Sequence, residues 1–349
     1  MIISGALRRA VAGVLAAGFT VATALVSTPA SAEQAASSCR DVERTVALTE
    51  GAPPAATISG TLCVPATWSA SGRQVDVLVH GGSYNRSYWN WPQGDGKYSY
   101  VRSALADGRA TFAYDRLGVG ESSRPPSTRV SVGTDAYVLH QLVRGLRADY
   151  PTINVVTHSI GGLVGIEEAA RFGDIDRLVV TGMLHGTGVG IGGLRTFTNF
   201  YPAMLDPVVS ADTADVGWVT TLPGTRDDVF FHPPAADPAV IAYDEAHKDV
   251  TTELTLATSA LVNKLPPALN STSRVRVPVL VMVGEHDALF CGLLLDCRDR
   301  QAVQQSEAAF YPRAASLTIL TVPDTGHNLA LHRSSNITHS TISEWLHSA

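Results

Sequence analysis

Residues Ile153 to Gly162 read Ile-Asn-Val-Val-Thr-His-Ser-Ile-Gly-Gly, a β-branched run that breaks into a serine flanked by small residues. A strand that turns this abruptly into a helix holds the serine at strained backbone angles, so the positions two residues away, Thr157 and Gly161, must be small. The turn would present Ser159 as a nucleophile. A serine hydroxyl needs a base to take its proton and a third group to orient that base. Two other segments offer these partners: Gly284-Glu285-His286-Asp287 and Asp324-Thr325-Gly326-His327-Asn328, each directly after an apolar run. Asp287 and His327 are the expected acid and base. Glu285 and Asp324 are outside choices, because a carboxylate three residues from His327 on the same turn orients an imidazole badly. The segment after Leu178 to Thr181 brings Met183, Leu184 and His185 but no carboxylate, so no acid is expected there.

These groups need a scaffold that delivers them to one edge. Two short strands are expected around Thr45 and Leu62. Short apolar runs then recur at Val75 to Val79, Ala110 to Tyr114, Ile153 to Thr157, Leu178 to Thr181, Val277 to Val283 and Leu317 to Val322, each bounded by Gly, Asp or His. Helical spacing lies between most of them, at Tyr98 to Ala106, Thr134 to Arg147, Leu163 to Phe172, Arg300 to Tyr311 and Thr338 to His347. Alternating buried strands and helices predict an α/β fold: a mostly parallel central sheet with helices on both faces, whose ligands bind at the carboxyl ends of the strands.

The chain order Ser159, Asp287, His327 and the small-residue turn around the serine resemble the α/β-hydrolase superfamily from about Val75 to the C-terminus. The resemblance implies an oxyanion hole from two backbone amides, Ile160 after the nucleophile and Gly82 after His80-Gly81 at a strand end. It also implies a structural turn at Asp115-Arg116-Leu117-Gly118-Val119-Gly120, where Asp115 ties loops together and the glycines permit the bend. Thr157 departs from the pattern, since the family more often has glycine there. The implied activity is hydrolysis of a carboxylic ester or lactone through an acyl-enzyme, with no cofactor. Acyl transfer or peptide cleavage by the same three groups, and a ligand-binding protein without catalysis on the same scaffold, are the alternatives. A serine at position 159 argues against dehalogenase and epoxide hydrolase chemistry, which would need a carboxylate nucleophile.

Residues 185–267 separate two strands by far more than one crossover helix needs and are read as a cap or lid between core segments 33–184 and 268–349. They contain Phe197, Phe200, Tyr201, Trp218, Phe230 and Phe231 with several prolines and glycines and little strand character. Phe197, Phe200, Tyr201 and Trp218, with Tyr84, Trp89, His158 and His185 from the core, are the expected pocket wall, which leans towards an apolar substrate. His232 and His247 lack the paired ligand spacing of a zinc helix, so no metal is expected.

The first 32 residues read as an export signal: Arg8 and Arg9, an apolar stretch from Ala10 to Val26, and Ala30-Ser31-Ala32 before the cut. Thr20 and Thr23 interrupt the apolar stretch and no stop-transfer flank follows, so a membrane anchor is not expected to remain. The remaining chain carries 24 basic against 32 acidic residues, a formal charge of −8, and nucleic acid is excluded as a partner. A small-molecule substrate is the expected partner, and the sequence assigns no oligomeric state. Four cysteines in an exported chain favour disulfides. Local pairs are expected, Cys39 with Cys63 and Cys291 with Cys297, worth about 3.5 and about 2.4 kcal/mol by loop-closure entropy. Two other pairings are open to the same thiols.

Overall fold

The computed structural model describes residues 37–185, 198–210 and 215–349. The expected export signal and Phe197 lie outside the described residues. Eleven strands are described, eight of them in one sheet ordered β1-β2-β4-β3-β5-β6-β10-β11. They are β1 Ser38–Val46, β2 Ala56–Val64, β3 Gln74–Val79, β4 Ala110–Tyr114, β5 Thr152–His158, β6 Arg177–Thr181, β10 Val279–Gly284 and β11 Leu317–Val322. From β4 to β11 every neighbouring pair is parallel, whereas β2 runs antiparallel to both β1 and β4.

The parallel strands are apolar because helices cover both faces, and every residue of β3, β4 and β10 is buried. Alternation sends Val75, Val77, Val79, Ile153 and Val155 to the core on one face and Leu78 and Val156 to the core on the other. Asp76 breaks the apolar run of β3. It is fully buried yet paired, accepting from Arg109 Nε at 3.0 Å, Tyr100 Oη at 2.8 Å and Asn154 Nδ2 at 2.8 Å. The fold expected from the sequence, a mostly parallel sheet between helical layers, is the fold observed.

Strand β3 lies between β4 and β5, so the chain leaves β3 to one side and returns on the other. That reversal opens a crevice beyond the carboxyl ends of β3 and β5. Helix α1, Tyr100–Ala106, joins β3 to β4, α2, Val132–Leu146, joins β4 to β5, and α3, Ile160–Arg171, follows β5 directly.

The long segment between β6 and β10 holds more strand than its sequence suggests. Strands β7 Phe200–Pro202, β8 Trp218–Thr221 and β9 Thr251–Thr252 form a second, antiparallel sheet. Strands of two to four residues are too short to display a period-2 pattern, which is why the composition concealed them. Among its described residues the segment also holds helices Arg226–Phe230, Pro238–Ala246 and Glu253–Lys264.

Disulfides join Cys39 to Cys63, opposite one another on β1 and β2, and Cys291 to Cys297 across a short loop. Opening the first by a paired Cys39→Ala and Cys63→Ala replacement is expected to lower stability by about 3.5 kcal/mol in denaturant titration, because its loop is the longer. No helix among the described residues is long and apolar enough to cross a membrane.

His339 on the C-terminal helix Ser335–Ser348 gives a second expectation. Its ring is buried edge-on to Tyr100 at 5.6 Å, its Nε2 has no partner, and burial pushes its pKa down to about 4. The unfolded chain takes up this proton below about pH 6.5 and the native state does not, so the stability contributed at neutral pH is lost as pH falls from about 6.5 towards 4. Between pH 7 and pH 5 the native protein should lose about 2 kcal/mol relative to a His339→Leu variant, read as the difference between their urea midpoints at the two pH values.

Candidate active site

The turn from β5 into α3 is built around one strained residue. Ser159 sits at φ 54° and ψ −123°, with its amide donating to Thr181 O at 2.8 Å and its carbonyl accepting from Gly162 N at 2.7 Å. A side chain at Gly161 would place its Cβ 2.5 Å from Val79 O and 2.7 Å from His80 O, so only glycine lets α3 pack against the end of β3. Thr157 fits for a specific reason. Its hydroxyl donates to Val179 O at 2.7 Å, and its methyl lies against Gly165 on α3, where a Cβ would come within 2.8 Å of it. The glycine one turn along the helix accommodates the branch that the turn itself carries.

Beyond the ends of β10 and β11 the loops bring Asp287 and His327 to the serine. His327 Nε2 is 2.9 Å from Ser159 Oγ, and His327 Nδ1 is 2.9 Å from Asp287 Oδ2. Both side chains are buried. The amides of Leu289 and Phe290 donate to Asp287 Oδ1 at 2.9 and 3.3 Å and fix the carboxylate in its turn. A carboxylate only accepts, so Nδ1 carries the ring proton and Nε2 faces the serine hydroxyl with a lone pair. Glu285 instead lies 3.8 Å from Arg300.

Gly82 and Ile160 adjoin one another, since a Cβ on Gly82 would lie 2.7 Å from Ile160 Cδ1. Among the described residues neither backbone amide donates a hydrogen bond. The Ile160 amide also opens α3, where the helix dipole favours negative charge.

The loop carrying Gly82 is held from below. Arg116 N donates to His80 Nε2 at 3.1 Å, His80 Nδ1 donates to Gly81 O at 2.9 Å, and Arg116 joins Gly81 O at 3.0 Å and Asp135 at 2.7 Å. Desolvation, reinforced by the Arg116 charge, holds the His80 pKa well below the usual range. Asp115 ties the neighbouring turn, accepting from the Arg86 amide at 2.8 Å, the Arg86 guanidinium at 2.7 Å and the Glu121 amide at 3.1 Å.

A second set of buried polar groups links both loops to the long segment. The Arg226 guanidinium pairs with Asp244 through two bonds of 2.6 and 3.1 Å, donates to Ser83 Oγ at 2.9 Å and lies 4.4 Å above the Tyr84 ring. Tyr84 Oη reaches Asp244 at 3.2 Å and accepts from Asn328 Nδ2 at 2.6 Å, while Asn328 Oδ1 accepts from His158 Nε2 at 3.1 Å. Ser83 follows Gly82 and Asn328 follows His327, so one buried ion pair braces the residues beside both. Desolvation, with the nearby His327, keeps the His158 pKa well below its ordinary value. His158 therefore puts no second positive charge 4.9 Å from the His327 ring.

The expected wall residues divide. Tyr84 and His158 are within this network, and Phe200 and Tyr201 stand half-buried on β7, with Tyr201 Oη donating to Asp206 at 2.6 Å. Trp89 lies in the core against Tyr88 and Tyr100, 5.0 and 5.6 Å away. Trp218 is packed onto the Gly118 backbone, where any side chain would collide with its ring. His185 is turned to Glu307, with Nδ1 2.6 Å from that carboxylate and its ring stacked on Phe310 at 4.4 Å. The rings that flank His327 are ones the sequence did not single out for a wall: Phe230 at 5.6 Å and Phe290 at 6.0 Å. Neither Phe290 nor the Arg226–Asp244 pair carries a spacing signal that could have marked it.

A hydrolase from Pseudomonas aeruginosa has a similar structure, with a TM-score of 0.57 at 15% identity over 83% of this chain and 94% of that one. An esterase from Thermogutta terrifontis gives 0.55 at 18% identity over 88% and 98%, and a monoacylglycerol lipase from Paleococcus ferrophilus gives 0.52 at 18% identity over 81% and 96%. At such identities the likeness is one of fold. A comparison with curated proteins finds no match. The model of the alpha/beta hydrolase family, however, matches residues 77–336, a span that holds the serine turn, both loops opposite it and the long segment between, and the chain belongs to that family.

Proposed function

We propose that this protein is an exported serine hydrolase of carboxylic esters or lactones. One observation carries the reading: the unbroken hydrogen-bonded line from Asp287 through His327 to Ser159, ending beside two amides that donate to no group among the described residues. His327 takes the Ser159 proton as Oγ bonds to the substrate carbonyl carbon. The carbonyl oxygen becomes an oxyanion held by the Gly82 and Ile160 amides, in a site where preorganised donors are worth several kcal/mol of barrier. As the carbon–oxygen bond to the alcohol breaks, His327 passes the proton to the leaving oxygen. Water then enters, His327 takes its proton, and the same steps in reverse release the acid and restore Ser159.

Residues 185–267 act as the cap in this reading. Its supports are contacts from that segment to the reacting groups and the residues beside them: Phe230 on His327, Arg226 on Ser83 and Tyr84, and Thr251 beside Gly82. Phe230 and Phe290 flanking the imidazole favour an apolar acyl or alkyl group. Both disulfides accord with an oxidising compartment, and the lipase and esterase among the structural neighbours accord with ester substrates. A panel of neutral esters and lactones graded in acyl length and ring size tests the reading. Turnover of apolar members is expected, and rates equal to those of a Ser159→Ala blank across the panel would refute it.

A further inference from the structure

On the far side of α3 from the serine turn, three side chains meet with their polar atoms unsatisfied. Glu168 on α3 is 0% exposed; no donor among the described residues bonds its carboxylate oxygens, and Asp174 could do so only by sharing a proton. His140 on α2 brings Nδ1 to 4.0 Å from Glu168 Oε1 and 2.8 Å from Asp174 Oδ2, and Asp174 stands on the loop that follows α3. Asp174 Oδ1 is likewise buried without a hydrogen-bond partner among the described residues. One ligand atom from each residue lies within 4.8 Å of the others. A native interior rarely leaves so many acceptors facing one another, and an isolated buried carboxylate is costly unless something positive or protic sits with it.

Apart from the His140 imidazole, no basic side chain among the described residues bonds these carboxylates. Arg147 gives its guanidinium to Asp176 at 2.7 Å, to Pro151 O at 2.7 Å and to the carbonyl of Asp174, and Arg171 turns to Glu50 and Glu167. We propose that His140, Glu168 and Asp174 bind a divalent transition-metal ion, zinc by preference. One imidazole and two carboxylates without thiolate are the donor set of a borderline cation, and the imidazole argues against calcium or magnesium. Ligand atoms around a tetrahedral zinc lie about 3.3 Å apart, between the separations already present. The Phe172 ring stacks on His140 at 4.0 Å and fixes the imidazole plane. The side chains of His140 and Asp174 are 16% and 28% exposed, which gives the ion an entry and the fourth position a water. No paired-histidine spacing announces the site, because its ligands come from two helices and a loop.

The ion would clamp α2 to the end of α3 about 14 Å along the helix from Ser159, so its role is to hold the fold, and the proposal stands whether or not the serine is catalytic. The competing occupant is a single proton shared by Glu168 and Asp174. Full-length protein without an affinity tag, stripped with chelator, is titrated with zinc by calorimetry, with bound metal counted by elemental analysis. One equivalent is expected, with a rise in Tm, and Glu168→Gln should weaken binding at least about 10-fold and abolish the rise. Asp174→Asn, at a partly exposed position, gives the same reading if Glu168→Gln does not fold. No uptake, uptake equal in both variants, or a protonated-carboxyl infrared band that persists in zinc-treated protein and disappears with Glu168→Gln would overturn the site.

Discussion

Ser159→Ala should reduce kcat on a responsive ester by about 10⁴-fold to 10⁶-fold while leaving the fold intact, and His327→Ala should cost nearly as much. The two losses should not add, because in the proposed mechanism the serine and its base act as one unit: once the hydroxyl is gone the imidazole has no proton to take. Asp287→Asn is a sharper probe. An amide in place of the carboxylate, held by the same Leu289 and Phe290 amides, can donate to Nδ1 and stabilise the wrong imidazole tautomer. A loss of about 10⁴-fold with unchanged thermal stability is expected from steady-state kinetics and calorimetry. A loss under tenfold would show that His327 does not depend on this acid.

Arg226→Met should be strongly destabilising. Both Arg226 and Asp244 are buried, and removing the guanidinium leaves a carboxylate in the interior with only Tyr84 beside it. Breaking such a pair costs about 3–5 kcal/mol, whereas replacing both partners by apolar residues of similar volume is close to neutral. Urea titration of Arg226→Met, Asp244→Leu and the double variant separates these effects, and the double variant should recover most of the loss. Its activity should not recover with it. Ser83 Oγ and the Tyr84 ring lose their anchor in every variant lacking Arg226, so the loop bearing Gly82 is freed to move even where the fold is restored. Equal recovery of stability and turnover would show that the pair does nothing for the site beyond holding the segment between β6 and β10 in place.

The strands were legible in the sequence because a strand covered on both faces must be apolar along its whole length. Val75 to Val79, Ala110 to Tyr114 and Leu317 to Val322 accordingly begin or end within a residue of β3, β4 and β11. Asp76 did not hide its strand, since a single paired carboxylate leaves the run intact. The serine turn was legible for a different reason: close approach of α3 to β3 demands Gly161, and that demand appears in the sequence as a small residue at a fixed offset. Thr157 read as a weakness because its compensation, Gly165, lies eight residues away and counts only when the helix folds back over the strand.

What stayed hidden depends on contacts across long separations. Arg226 and Ser83 are 143 positions apart, and nothing local distinguishes an arginine that will be buried from one on the surface. The aromatic residues misled for a related reason. Trp89 and Trp218 are large and apolar enough to line a pocket, but a ring that size also fills a core, and only the surroundings decide between the two. The small antiparallel sheet left no pattern because its strands are shorter than the period needed to see one.

Incubating the folded protein with a fluorophosphonate and mapping the adduct by peptide mass spectrometry tests the central claim most directly. A single modification on Ser159, suppressed by prior acid unfolding and absent from His327→Ala under the same conditions, is the expected result. A folded protein that takes up no label, or takes it up equally when Ser159 is alanine, would contradict the account.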